Sequence, residues 1–175
     1  MYDLPISDVS REYHFLAGDL LDQAMKKICH CLDQLNDRQV WWRPAPNMNS
    51  IGNLLLHLSG NLNQWGVVPF TLENDRRDRE VEFSSDIFIP KDELLEQMQN
   101  VVELAKDQWQ HLEESQLLRR LEIQGFDVSH MHAILHASSH FVGHTHQVVL
   151  LTRLQLGTQY QFHWSPGEPR GEVPI

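Results

Sequence analysis

No aspartate or glutamate occurs between Val128 and Gly167. Ferritin-like di-iron centres take Glu-x-x-His from paired helices, and zincin proteases take His-Glu-x-x-His; neither pattern is present. Haemerythrin-type sites, which want bridging carboxylates, are excluded from the same stretch. Cysteine is scarce as well. Cys29 and Cys31 stand two apart in a helical segment and point to nearly opposite sides, which rules out a mutual disulfide and fits a reducing compartment. No apolar run approaches the length of a membrane span, and no basic start leads into an apolar stretch. The expected location is therefore the cytoplasm, away from membranes. Basic residues are few: 14 Lys and Arg stand against 24 Asp and Glu, for a net charge of −10. An acidic surface repels phosphate backbones, so nucleic acid is not an expected partner.

Histidine is the residue in excess. There are eleven. Six of them, His130, His132, His136, His140, His144 and His146, fall in one short stretch.

At 175 residues the chain has the length of one domain, with its core over about residues 10–157 and a tail over 158–175. Periodicity supplies four helices. Over about 10–36 the apolar positions Leu16, Leu20, Ala24, Ile28, Cys31 or Leu32, and Leu35 step by three and four. Asn36 and Asp37 end that helix, and Trp41 to Asn47, with two prolines, reads as an ordered loop. Ser50 suits the N-cap of a second helix reaching Trp65 or Val68, with Ile51, Leu54, Leu55, Leu58, Leu62 and Trp65 as its stripe. From Pro69 to Ile89 the helical period disappears into a charged crossover with a short β-like segment. Pro90 opens a third helix with Leu94, Met98, Val101, Ala105 and Leu112 inward and Trp109 beside them. After a loop from Gln116 to Phe126, Asp127 or Ser129 caps a fourth helix that ends before Gly157. The predicted fold is all-α: a four-helix bundle with a long crossover between helices two and three.

On the fourth helix His132, His136, His140 and His144 are spaced by four. Each step drifts only about 40°, so adjacent rungs share a face and can hold one ion between them. Gln147, Leu151 and Leu154 continue the face of His140, with Ala133 and Ala137 on the other side and Gly143 at its edge. This favours His140 and His144 as the inward pair, with His136 next in line. His146 lies about 200° from His144 and cannot join the same site; the same objection removes Cys29-His30-Cys31 as a chelator. Two readings stay open at this point, a metal ion or a histidine-rich face without one. A metal with these neutral ligands would be mononuclear, with a position open to water or substrate. A third ligand has to come from another helix. His57, the one histidine of the second helix, sits about 120° from Ile51 on the flank of the stripe, and spacing alone does not decide its role. Asn61, Trp65, Trp41 and Trp42 are candidates to line the pocket around it.

Three segments together resemble the DinB-like (damage-inducible) family, which takes in the YfiT-like metal-dependent hydrolases. They are Trp42-Arg43-Pro44 leading through Ser50-Ile51-Gly52 to His57-Leu58, then Asn61 to Trp65, then His136 to Val148 with histidines at 136, 140 and 144. This chain departs from the pattern at His146, where the family has glycine. The resemblance implies a four-helix bundle holding one zinc or nickel ion on His57, His140 and His144. It also implies one of two chemistries, activation of a low-molecular-weight thiol for transfer or hydrolysis by a metal-bound water. His136 and Gln147 are the candidates to support the ligands or orient substrate. The expected partner is a small molecule. The non-enzymatic alternative is a stress-associated module whose metal is structural. A homodimer is the expected assembly, on the general frequency of dimers.

Overall fold

The computed structural model describes residues 7–71, 74–84 and 88–162. Its long helices are α1 (Ser7–Asp33), α3 (Ile51–Leu62), α5 (Lys91–Gln110) and α7 (His130–Leu156). Short helices α2 (Asp37–Val40), α4 (Arg79–Glu82) and α6 (Glu114–Leu117) lie between them, with one antiparallel hairpin, β1 (Arg120–Ile123) and β2 (Phe126–Ser129). The four long helices form an all-α bundle. α1 packs on α7 and α5, and α3 packs on those same two, so α1 and α3 occupy opposite corners. No helix among the described residues is long and apolar enough to cross a membrane.

Local chemistry accounts for most of the helix ends. The Ser50 side chain accepts the N–H of Asn53, and the Asn53 side chain accepts the N–H of Ser50, a reciprocal cap that starts α3. Ser129, rather than Asp127, caps α7 by accepting the N–H of His132. Gly157, with φ of 55°, ends it. Asn36 does not end α1, which stops at Asp33; it caps α2 through its own side chain. The Lys91 ammonium donates to the carbonyls of Leu32 (2.9 Å) and Leu35 (2.8 Å), tying the start of α5 to the end of α1.

The inward stripes are close to those expected, with two phase corrections. On α1 the first turns bury Ala17 and Leu21 and leave Leu16 out, so the stripe is rotated by about one residue before it reaches Ala24 and Ile28. On α5 the buried set is Leu94, Met98, Val102, Ala105 and Trp109. Val102 replaces Val101 and Trp109 joins the face, donating its indole N–H to the Gly66 carbonyl at 2.8 Å. On α7 the core face runs through Ile134, Ser138, Phe141, Thr145, Val148 and Thr152. Its three hydroxyls are satisfied within the helix, donating to the carbonyls of Ile134, Phe141 and Val148 at 2.8 to 2.9 Å. Burying polar positions there costs little for that reason.

Two irregular segments differ from expectation. Of the crossover after Glu80 read as β-like, Val81 and Glu82 belong to the helical turn α4, capped by Asp78, and 85–87 lie outside the described residues. The strands form in the stretch read as a loop, where Gln124 and Gly125 both have positive φ (55° and 81°), as a two-residue hairpin turn requires. α3 runs on through a π-turn, Asn63–Val67, and a 3-10 turn, Val68–Phe70. The tail beyond residue 162 lies outside the described residues; before it, Gln161 bonds the side chains of His30 on α1 and Gln34 just past it.

The buried Trp109 and the exposed Trp42 give the packing a direct test. Trp109→Ala should cost about 3–5 kcal/mol of unfolding free energy, whereas Trp42→Ala should stay within about 0.5 kcal/mol. Urea denaturation of the two variants measures the contrast.

Candidate metal centre

The reciprocal cap at Ser50 and Asn53 sets the phase of α3, and one turn later on the same face stands His57, buried to 4 % exposure. Its ring meets two rings of α7, with centroids 5.0 Å from His140 and 4.9 Å from His144, while those two lie 4.5 Å apart. One ring nitrogen from each of the three falls within 4.8 Å of the others. Farther along, the His136 ring packs on Trp65, centroids 4.0 Å apart and planes tilted by 34°. Advancing along α3 from His57 to Trp65 thus means retreating along α7 from His144 to His136, so the helices cross antiparallel.

The histidine ladder is not the centre of α7's core face, as the sequence suggested. It runs along the edge facing α3, leaving His140 and His144 half-buried, while Leu154 is 60 % exposed. The bundle interior is taken by Phe141 and Thr145, one residue along from each histidine. Conversely His57, placed by helical angle on a flank, is deeply buried because the crossover folds over it. His132 and His146 are exposed.

The crossover is also what supplies the carboxylate that the histidine-rich helix lacks. Asn53 donates to the carbonyls of Glu82 (2.9 Å) and Ser84 (3.1 Å), and Arg43 donates to Ser84 (2.9 Å), pinning α4 beside α3. The Glu82 side chain then lies 2.9 Å from His57 Nδ1. Arg77 donates from Nε to Oε1 at 2.6 Å and from Nη2 to Oε2 at 2.8 Å, and from Nη1 to Gln64 at 2.8 Å. Burial alone would raise the Glu82 carboxyl, but the hydrogen bonds from Arg77 and His57 outweigh it and hold it below the usual carboxylate range. Glu82 was missed from sequence: it sits in an aperiodic charged run, with the exposed Val81 beside it. Gln147 is exposed and holds His144 Nδ1 at 3.1 Å, so it supports a ligand rather than lining a cavity. Asn61 and Trp65 are buried, Trp65 against His136 of α7. Trp41 is elsewhere, laid over Gly52 and bonded to the Ile89 carbonyl at 2.8 Å, and Trp42 is exposed.

The donor chemistry suits a divalent ion. His57 Nε2 and His140 Nε2 approach to 2.9 Å. Two lone pairs at that distance repel, so the pair needs either a shared proton or a cation. Ligands about 2.1 Å from a common ion are roughly 3.0–3.4 Å apart, close to what is already in place. Burial first, then the neighbouring histidines, push His140 down to about 4, so it is neutral and ready to ligate at pH 7.

Comparison with known proteins agrees with this architecture. A family described as "Protein of unknown function (DUF1572)" matches residues 8–166. No curated protein matches the chain. Among solved structures, a conserved protein from Enterococcus faecalis superposes with a TM-score of 0.69 at 21% identity, covering 81% of this chain and 96% of that one. A DinB-like protein from Bacillus cereus superposes with a TM-score of 0.61 at 13% identity, covering 78% and 85%. The fold is therefore DinB-like.

Two helical glycines test the geometry around the site. Alanine normally gains about 0.5–1 kcal/mol over glycine inside a helix. Gly143 is exposed and an added Cβ meets nothing within 4 Å, so Gly143→Ala should show that gain. At Gly60 the new Cβ would overlap the Glu82 carboxylate oxygen, so Gly60→Ala should instead lose about 1–3 kcal/mol. Equal signs in chemical denaturation would contradict the placement of Glu82.

Proposed function

We propose that this chain, which belongs to the family described as "Protein of unknown function (DUF1572)", is a mononuclear metal-dependent enzyme acting on a small molecule. The observation that carries the proposal is the convergence of ring nitrogens from His57, His140 and His144 within 4.8 Å of one another. Imidazole donors suit zinc and nickel among the available divalent ions. Three protein ligands leave a tetrahedral ion one position for an exchangeable molecule, whereas structural zinc sites are usually closed by a fourth side chain. Both free cysteines are on α1, apart from the cluster. Bound there, the ion would lower the pKa of a thiol or a water, supplying a nucleophile near neutral pH.

Access supports the same conclusion. His140 and His144 are half-buried, and Ser139, Gly143 and Gln147 on the same helix are exposed, so one side of the site reaches solvent. His57, Glu82 and Phe83 close the other side, with the Phe83 ring 4.9 Å from His57. A small thiol or ester could approach from the α7 side.

Metal analysis and mutation test this reading together. Purified protein should contain one zinc or nickel ion per chain by elemental analysis, His140→Ala and His144→Ala should lose it, and His146→Ala should retain it. Loaded protein should turn over at least one member of a panel of thiol-transfer and hydrolase substrates. Retention of metal by both ligand variants would sink the assignment.

A further inference from the structure

The geometry points to Arg77 and Glu82, both on the crossover, as a positioning pair that fixes which nitrogen of His57 faces the ion. This inference rests on the metal-site reading above and goes beyond it in assigning a role to the segment that sequence periodicity left blank. His57 Nδ1 lies between two groups of opposite demand: Glu82 Oε2 at 2.9 Å, which can only accept, and Arg77 Nη2 at 3.0 Å, which can only donate. The tautomer decides which contact is a hydrogen bond. If Nδ1 accepted from Arg77, the ring proton would sit on Nε2 and point into the ligand cluster. If Nδ1–H donates to Glu82, the Nε2 lone pair faces His140 and an ion.

Glu82 wins that competition because Nδ1–H to a carboxylate is a charge-assisted bond, whereas a bare Nδ1 lone pair 2.9 Å from that acid would be repelled, and because Arg77 is itself held by the acid. Its Nε and Nη2 grip the two carboxylate oxygens at 2.6 and 2.8 Å, and its remaining Nη1 holds Gln64 at 2.8 Å. Oε2 has lone pairs for both Nη2 and Nδ1–H. The two side chains are almost sealed, at 4% exposure for Arg77 and 8% for Glu82, so neither can turn to water as an alternative partner.

The charge balance is the second part of the inference. Paired with Arg77, the carboxylate adds no net charge next to the ion. The site gains the orientation that an outer carboxylate gives a ligating histidine, yet the ion keeps its full power to acidify a bound molecule. His144 gets a neutral version of the same support from Gln147, whose Oε1 lies 3.1 Å from Nδ1. The deeply buried ligand thus has a rigid ionic clamp, and the half-exposed one has a flexible amide.

The test combines nitrogen-detected NMR of metal-free wild type with zinc titration of wild type and Glu82→Gln. The expected results are an Nδ1–H tautomer for His57 and a zinc Kd raised about 10–100-fold in the variant. A purely structural role for Glu82 would not fix the tautomer. Wild type that binds zinc while His57 carries its proton on Nε2, or while Glu82→Gln binds equally tightly, overturns the positioning role and leaves the metal site standing. Wild type that binds no zinc overturns the metal site and this inference together. If Glu82→Gln does not fold by circular dichroism, the wild-type tautomer alone decides.

Discussion

An imidazole cannot be buried with an idle ring nitrogen at no cost; a buried polar group without a partner costs about 1–3 kcal/mol. That constraint organises the face where α3 meets α7. His57 is 4% exposed and needs partners for both nitrogens. Glu82 answers one, and the other faces His140 Nε2 at 2.9 Å, where a shared proton or a cation answers it. Glu82 is itself a buried carboxylate and requires Arg77, which in turn holds Gln64 on the π-turn after α3. The hairpin turn then reaches that same Gln64 through Gln124 at 2.7 Å. Remove the need to satisfy His57 and this chain of contacts has no reason to close.

The connection between α3 and α5 is therefore more than a link between helices. Its backbone is held by Arg43 and Asn53, both just ahead of or within the first turn of α3. Gly60 leaves the space that the carboxylate occupies. The same stretch, from Arg43 to Gly60, thus caps a helix, anchors the crossover and presents His57 to the two histidines of α7. Charge follows the same economy, since a buried acid and a buried base cancel beside the place where a dication fits.

The two supporting shells differ in how they were discoverable. Gln147 stands three residues from His144 on a regular helix, so its reach could be read directly from spacing. Glu82 is 25 residues from His57 across a segment with no period. The hairpin was hidden because Gln124 is an unusual residue at positive φ, where asparagine or aspartate would have signalled the turn. Val81 and Glu82, expected to start a β-like segment, instead continue a helical turn that the Asp78 cap begins.

The sequence by itself determined the bundle. Apolar positions three and four apart specify where helices lie, and Ser50, Ser129 and Gly157 specify where they start and stop, because those signals act between residues close in the chain. It also determined which rungs of the ladder can share an ion, since helical angle is a local property. His57 came only through family resemblance, and its depth was misjudged from the α3 stripe. Tertiary structure alone decided that depth, the edge position of the histidine ladder and the arrival of Glu82 and Arg77. Each of those depends on which surfaces meet, and burial of a polar group is decided by the partner that reaches it from elsewhere in the chain.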